Sequence, residues 1–197
     1  MSDLTLADKL VEIDRALDDA AIAHAFGGAI ALAYCTGAPR GTVDIDVNVF
    51  VEPTEARRVF AALPPGVTSG DDDAAAARHG QVRVLWGRTP LDLFFDYHRF
   101  HEDVARRARR VPFADAMIPV ISCEDLVVFK AFFARTRDWA DIEAMVATDA
   151  IDTGAATERV ALLLGVDHPS YVRLFDTVQS PRPEGRPPPR LPPSPRG

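Results

Sequence analysis

The feature that most constrains the fold is a stretch of eight residues, 42–49 (TVDIDVNV), in which polar and apolar residues alternate strictly. Successive side chains of a β-strand point to opposite faces, so this pattern predicts a strand with one apolar face and one polar face. Asp44 and Asp46 share the polar face at a spacing of about 6.5 to 7 Å. Aspartate is depleted in strands and like charges on one face repel, so the sequence predicts that something offsets this pair.

The acidic strand face has two interpretations. In the first, Asp44 and Asp46 bind divalent cations, because Mg²⁺ prefers hard oxygen ligands and two ions about 3.5 to 4 Å apart organise displacement at phosphorus. In the second, the strand lies at the edge of a sheet and its polar face meets water. The two aspartates alone do not decide between these interpretations.

A glycine pair, Gly27 and Gly28, ends a short predicted strand (IAHAF) and precedes a predicted buried helix (AIALAYCT). Glycine lets the backbone approach a phosphate closely, and the N-terminus of a helix favours negative charge. Close packing of the helix would explain the glycine pair equally well. Together with the acidic strand, the pair predicts one nucleotide site, in which the turn binds the triphosphate and the strand carries the metal ligands.

The remaining pattern predicts an α+β fold. Apolar residues at helical spacing predict an amphipathic helix over 4–20, and QVRVLWG and LDLFFDYH, separated by RTP, predict an antiparallel hairpin. Segment 70–80 (GDDDAAAARHG) is predicted to be a mobile connection and segment 101–110 a short basic helix. A long helical region is predicted over 124–147, followed by two small helices.

Composition sets the domain organisation and limits the partners. The chain has 197 residues, 47% of them hydrophobic, which is enough for one domain with a substantial core. We predict a core at 1–121, a helical C-terminal region at 122–179 that completes the site, and a disordered tail rich in proline and arginine at 180–197. The net charge of −7, near −10 without the basic tail, does not fit a general nucleic-acid binder.

Localisation and cysteine chemistry follow from the same composition. No apolar run approaches the roughly 20 residues of a membrane span, and the acidic N-terminus lacks the order of a signal peptide. We therefore expect a cytoplasmic protein without a membrane partner. Cys35 and Cys123 show neither metal-ligand spacing nor a framework of pairs, so they are predicted to be buried free thiols.

The segment GGAIALAYCTGAPRGTVDID resembles the signature of the DNA polymerase β-like nucleotidyltransferase superfamily, and more narrowly that of AbiEii-type toxins of bacterial toxin–antitoxin systems. This branch often has serine where Gly28 stands. The resemblance implies a mixed sheet flanked by helices, Mg²⁺ as cofactor with two ions bound, and an NTP substrate. The matching positions are Gly27, Gly28, Gly37, Arg40, Thr42, Asp44 and Asp46. Among them, Gly27, Gly28, Arg40 and Thr42 would bind the nucleotide and its phosphates.

The resemblance also implies a third carboxylate on a neighbouring strand. Asp92 is preferred over Asp96, because Asp92 opens the apolar LDLFF run as in the family pattern. Asp92 would join Asp44 and Asp46 as a metal ligand, or act as general base for the attacking hydroxyl.

Further family residues follow in the helical region, where Lys130 would bind a phosphate and Asp138 and Asp141 would orient it or assist proton transfer. On one straight helix, Lys130 and Asp141 would lie about 16 Å apart along the axis. Either the helix breaks near Thr136, or the two groups address different parts of the ligands. The alternative is a set of surface ion pairs, Lys130–Asp138 and Arg137–Asp141, at helical spacing.

The acceptor is the least determined part of the prediction. Four arginines on the predicted basic helix could bind an RNA backbone; they are Arg106, Arg107, Arg109 and Arg110. The resemblance implies transfer of a nucleotide to the 3′ end of tRNA, which blocks translation, and control by a cognate antitoxin. The alternatives are transfer to a small molecule, as in antibiotic nucleotidyltransferases, and a non-catalytic binding module with the same fold.

Overall fold

The computed structural model describes residues 4–68, 72–96, 99–148 and 151–180. Contacts divide the chain into two compact units: Met1–Ile30 with Gly41–Ser122, and Ala31–Arg40 with Cys123–Gly197. Residues 31–40 are therefore grouped with the C-terminal residues, although they precede the acidic strand in the sequence. Apart from Ser180, the predicted tail at 180–197 lies outside the described residues.

The first unit is built on a mixed sheet of seven strands in the order β3-β4-β5-β2-β1-β7-β6. The pairs β2–β5 and β1–β7 are parallel, and the other neighbouring pairs are antiparallel. The strands are β1 (His24–Phe26), β2 (Ile45–Val49), β3 (Val67–Thr68), β4 (Gln81–Trp86), β5 (Thr89–Phe95), β6 (Arg109–Phe113) and β7 (Ala116–Val120). The predicted α+β class with a mixed sheet is confirmed.

Helices flank this sheet. They are α1 (Leu6–Asp19), α2 (Gly28–Thr36), α3 (Ala56–Ala62), α4 (Asp72–His79) and α5 (Arg99–Arg107), with a short 3₁₀ turn at Pro53–Glu55 before α3. Helix α2 begins in the first unit and continues into the second. A capping box between Thr5 and Asp8 starts α1, as its sequence pattern requires.

Strict alternation in the central strands produces one fully apolar face. Side chains from β2, β4 and β5 pack with those of α1 and α3 in a single buried core, which includes Leu10, Ile13, Leu17, Ile45, Val47, Val59, Val84, Leu93 and Phe95. The residues between these apolar positions, among them Asp46, Arg83 and Asp92, belong to the opposite face of the sheet. The sequence pattern therefore both closes the core and gathers polar groups on the other face.

Two local predictions for the first unit were wrong. The segment predicted as a mobile connection forms α4, because a run of alanines has the highest helix propensity. The predicted basic helix ends at Arg107, and Arg109 opens strand β6, which pairs with β7. The four arginines therefore do not lie on one helix.

The second unit is helical. Besides the second part of α2 it contains α6 (Cys123–Phe133), α7 (Thr136–Ala147), α8 (Thr153–Leu164) and α9 (Pro169–Gln179), and α6 contacts the other three. The predicted long helix breaks between α6 and α7, where Ala134 has a left-handed φ of 52°. A disulfide joins Cys35 to Cys123, so the prediction of free thiols was wrong. Packing of α2 and α6 brings together two cysteines that are 88 residues apart.

None of the helices in the described ranges combines the length and the apolar character that a membrane crossing requires.

Candidate active site

Aspartates on two neighbouring strands form the centre of the candidate site in the first unit. In the parallel pair β2–β5, Asp46 lies directly opposite Asp92. Asp44 immediately precedes β2, two residues before Asp46 and on the same face. Asp92 is only 4% exposed, whereas Asp44 and Asp46 are partly exposed. The structure thus places Asp92 rather than Asp96 opposite Asp46, and Asp44 two residues before Asp46 in the chain.

The turn between β1 and α2 packs directly against Asp46. The N–H of Gly27 donates to the carbonyl oxygen of Asp46 at 2.9 Å. Gly28 has a left-handed φ of 49°, and a Cβ atom there would lie 1.7 Å from Oδ2 of Asp46. In this conformation any side chain at position 28 would collide with the Asp46 carboxylate, so the turn requires glycine there.

Thr42 contacts Asp44 rather than an open surface. Its hydroxyl makes a short hydrogen bond to the Asp44 carboxylate, and lies 3.2 Å from the Asp44 carbonyl oxygen. These contacts orient the aspartate just before β2 begins. The predicted role of Thr42 in nucleotide binding stays a prediction, and a role in positioning Asp44 is visible.

An arginine that the sequence prediction did not select holds the third aspartate. Arg83 on β4 lies directly opposite Asp92 and donates two hydrogen bonds, Nε to Oδ1 at 2.7 Å and Nη2 to Oδ2 at 2.6 Å. The hydrogen bonds to Asp92 first, then the charges of Asp92, Asp44 and Asp46, raise the pKa of Arg83, so the guanidinium stays charged. The negative charge of the strand aspartates therefore has a counter-ion inside the protein.

The remaining predicted carboxylates lie in the second unit, around Lys130. Lys130 Nζ donates to Asp141 Oδ2 at 2.6 Å and lies 3.5 Å from Asp138 Oδ1. Arg40 Nη2 donates to the same Asp141 oxygen at 3.1 Å. The break between α6 and α7 makes these contacts possible, which decides between the two geometries open at the sequence level.

Burial and ion pairing shift the pKa of Asp138 in opposite directions. Burial alone would raise the pKa of its carboxyl group. Hydrogen bonds from Arg135, together with the charges of Lys130 and Arg135, outweigh burial and lower that pKa. Asp138 is 1% exposed and its carboxylate accepts from Arg135 Nε at 2.7 Å. The cluster of Arg40, Lys130, Asp138 and Asp141 is therefore paired internally.

Comparison with known proteins was made through sequence and through structure. No protein-family model and no curated protein matches the chain. The solution structure of the antibiotic-resistance factor ANT(2'')-Ia is similar with a TM-score of 0.57 and 12% identity, over 80% of this chain and 90% of that one. The crystal structure of ANT(2'')-Ia in complex with adenylyl-2''-tobramycin gives 0.56 and 15%, over 88% and 98%. The chain has the nucleotidyltransferase fold.

The first two similar structures are of one enzyme, and a third is of a different protein. An antigenic nucleotidyltransferase-like protein from Paracoccidioides brasiliensis matches with a TM-score of 0.50 and 16% identity, over 88% of this chain and 93% of that one. Identities this low establish the nucleotidyltransferase fold alone, so acceptor and biological role need evidence from the chain's own residues.

The four arginines predicted to bind RNA are partly engaged within this nucleotidyltransferase fold. Arg106 makes a short ion pair with Asp103. Arg110 contacts Asp14 and Asp18, each at 3.2 Å. Arg109 is exposed on β6, and Arg107 is half-buried at the end of α5. Their predicted role in RNA binding stays a prediction.

One group of acids and histidine within the described ranges has ligand atoms that all lie within 4.8 Å of one another: Asp14, Asp18 and His24. Arg110 already bridges the two aspartates, and His24 hydrogen-bonds to Asp14 at 3.1 Å. This group is therefore compensated without an ion.

The strand aspartates fit Mg²⁺ by donor type, since all three offer carboxylate oxygens. They also fit by position, because Asp46 and Asp92 are cross-strand neighbours and Asp44 precedes Asp46 on the same face. They are not gathered as closely as the group around His24. Binding of an ion would therefore draw their side chains together.

Proposed function

We propose that this chain is a Mg²⁺-dependent nucleotidyltransferase that moves a nucleoside monophosphate from an NTP to an acceptor hydroxyl. The observation that carries the proposal is the meeting of Asp44, Asp46 and Asp92 on neighbouring strands beside the Gly27–Gly28 turn. The nucleotidyltransferase fold of the similar structures supports it.

In the proposed mechanism, Asp44, Asp46 and Asp92 hold the metal, with two ions as the expected number. Bound there, Mg²⁺ would neutralise the charge that develops on the phosphoryl oxygens. Thr42 fixes the orientation of Asp44, and the N-terminus of α2 favours the negative charge of the triphosphate. Asp92, whose carboxylate is oriented by two hydrogen bonds from Arg83, would serve as a metal ligand or as general base for the acceptor hydroxyl.

The family roles stay proposals for four residues of the second unit: Arg40, Lys130, Asp138 and Asp141. A ligand would have to bind beside the contacts that these residues already make with one another. Lys130 donates one of its three N–H groups to Asp141 at 2.6 Å, so a phosphate would have to accept from another of them beside this contact. Because the Lys130 side chain is 7% exposed, the geometry supports a structural ion-pair cluster more directly than a phosphate-binding role.

The first proposed acceptor is RNA, specifically the 3′ end of tRNA, with the enzyme acting as a toxin under control of a cognate antitoxin. It follows from the resemblance of GGAIALAYCTGAPRGTVDID to AbiEii-type toxins. Arg109, which is exposed on β6, is the residue of the four that this proposal uses for RNA binding.

The second proposed acceptor is a small cationic molecule, such as an aminoglycoside. Two observations favour it: the acids that engage Arg106 and Arg110 reduce the positive charge available for RNA, and the chain covers 98% of a structure that contains adenylyl-2''-tobramycin. The strongly acidic body would attract a cationic acceptor.

The test is incubation with each labelled NTP and Mg²⁺, with either total tRNA or a panel of aminoglycosides. We expect label to move to one acceptor class, to require Mg²⁺, and to fall at least about a hundredfold in Asp46→Asn, since loss of a ligand exceeds loss of its outer-shell partner. Asp19→Asn, an exposed acid on α1, serves as the matched control and should retain transfer. No transfer and no nucleotide binding would leave only the non-catalytic alternative.

The toxin role has a separate test. Expression of the unmodified chain should slow bacterial growth, whereas Asp44→Ala should not. Equal growth of the two strains, combined with transfer to an aminoglycoside, would reject the toxin and retain the enzyme.

A further inference from the structure

Three charged residues form a row across three adjacent strands of the first unit. Arg83 on β4 is opposite Asp92 on β5, and Asp92 is opposite Asp46 on β2. Side chains directly opposite each other on neighbouring strands lie within contact distance. Asp92, in the middle, therefore lies between the Arg83 guanidinium on one side and the candidate metal site on the other.

We propose that Arg83 is a built-in competitor of the divalent cation for Asp92. In the state seen here, Arg83 takes the place of an ion as counter-charge to the third carboxylate. Asp92 joins Asp44 and Asp46 around a cation only when it gives up hydrogen bonds with Arg83. This exchange sets the affinity of the site for the divalent cation. The inference rests on the proposed function of these aspartates as metal ligands.

The bidentate contact is the first reason for competition. Both carboxylate oxygens of Asp92 accept from Arg83, at 2.7 and 2.6 Å, and its side chain is only 6% exposed. A guanidinium fork matched to a carboxylate is a strong, orienting contact. Rotation of Asp92 toward Asp46 cannot preserve both hydrogen bonds.

Charge is the second reason. A guanidinium and a dication on the same carboxylate repel each other, and that repulsion is poorly screened where Asp92 is buried. Arg83 is able to leave, because its own side chain is 60% exposed and its head group can be solvated outside the contact. Arg83, the exposed partner, is therefore the one that withdraws into solvent when the contact with Asp92 breaks.

The test measures divalent binding directly, with Mn²⁺ as the probe and the electron paramagnetic resonance signal of free Mn²⁺ as the readout. We expect Arg83→Gln to bind Mn²⁺ about tenfold more tightly than the unmodified chain, which corresponds to about 1.4 kcal/mol. Arg83→Lys, which keeps the charge and loses the fork, should fall between the two. Arg88→Gln removes the same charge from the same hairpin and should change the affinity less than about threefold.

A double-mutant cycle identifies the carboxylate through which Arg83 acts. On an Asp92→Asn background, Arg83→Gln should no longer tighten Mn²⁺ binding, because the competitor has lost its target. Circular dichroism and thermal unfolding of each variant establish that it is folded before its affinity is compared.

The outcomes separate this inference from the proposed function. Unchanged or weaker Mn²⁺ binding in folded Arg83→Gln overturns the competition, the weaker case showing that Arg83 positions Asp92 for the ion. Equal tightening in Arg88→Gln, or tightening that survives Asp92→Asn, also overturns it. Absence of Mn²⁺ binding to both the unmodified chain and Arg83→Gln removes the metal site, and with it the proposed function.

Discussion

Each unit of the chain contains a cluster of aspartates with basic partners, and the two clusters differ in which partner is exposed. In the first unit, Asp92 is held by Arg83, whose side chain is 60% exposed. In the second unit, Asp141 is held by Lys130, whose side chain is 7% exposed. A buried cation that loses its partner is left as an uncompensated charge away from water, whereas an exposed one replaces its partner with water.

This difference in exposure predicts different roles for the two clusters. The cluster around Lys130 joins α6 to α7 just where the chain changes direction, so it stabilises the second unit. The row from Arg83 to Asp46 lies on a rigid sheet, and its exposed arginine is replaceable by another cation. A cluster that exchanges its counter-ion can bind ligands, and one that cannot is structural.

The largest effect is expected when the buried cluster loses one acid. Asp141→Asn leaves Lys130 buried with only Asp138, at 3.5 Å, as a carboxylate partner in this cluster. Breaking a buried ion pair costs about 3 kcal/mol or more, so we expect the free energy of unfolding to fall by about 3 kcal/mol. Urea unfolding followed by circular dichroism measures it.

A matched control for that substitution lies on the same helix. Glu143 on α7 contacts Arg173 at 4.0 Å, and both side chains are more than half exposed. Glu143→Gln should change the free energy of unfolding by less than about 1 kcal/mol. If Asp141→Asn were no more destabilising than Glu143→Gln, the buried cluster would not be a structural one and the contrast between the units would be lost.

A smaller effect is expected at the glycine turn of the first unit. Gly28→Ala places a Cβ atom against Asp46 and forces alanine into a left-handed conformation, which costs about 1 to 2 kcal/mol from the backbone alone. Gly41→Ala is the control, because a Cβ atom there meets nothing within 4 Å. Equal unfolding midpoints for the two variants would show that the turn does not pack tightly on Asp46.

Local sequence pattern was sufficient for the centre of the candidate site. Alternation with period two determined which face carries Asp44 and Asp46, and the glycine pair located the turn beside them. The structure places these residues together because β1 and β2, consecutive strands of the chain, pair in the sheet and the β1–α2 turn contacts Asp46. Short-range periodicity is therefore enough where the neighbours in space are also neighbours in sequence.

Arg83 was missed because its partner depends on hairpin register. A turn at RTP, as the sequence suggested, would place Trp86 opposite Asp92. The chain instead turns at Gly87 and Arg88, with a left-handed φ of 60° at Gly87, so that Arg83 faces Asp92. A two-residue glycine turn was the available signal.

Local sequence patterns could not predict contacts between residues that are far apart in the chain. The disulfide between Cys35 and Cys123 depends on how α2 and α6 pack, and the contact of Lys130 with Asp141 depends on where the helical region breaks. At the break, Ala134 adopts a left-handed conformation that alanine rarely takes. Tertiary packing overrides helix propensity at that residue, and no propensity scale predicts it.

The smallest expected effect is the dependence of the second unit on acid. Because the pKa of Asp138 is lowered from its ordinary value of 3.8, its ion pairs contribute stability in full above pH 3.8. That contribution is lost as the pH falls through the lower, folded-state pKa, where the carboxylate takes up a proton. The effect is modest, because the side chain of Arg135 is 62% exposed and water screens the pair.

The unmodified chain should therefore lose more thermal stability than Asp138→Asn between about pH 5 and pH 2.5, and the two melting temperatures should converge at the acid end. Asp167→Asn, an exposed aspartate of the same unit, controls for the general loss of negative charge. Parallel curves for the unmodified chain and Asp138→Asn would mean that the pKa of Asp138 is the same in the folded and the unfolded protein, and that its ion pairs contribute no net stability.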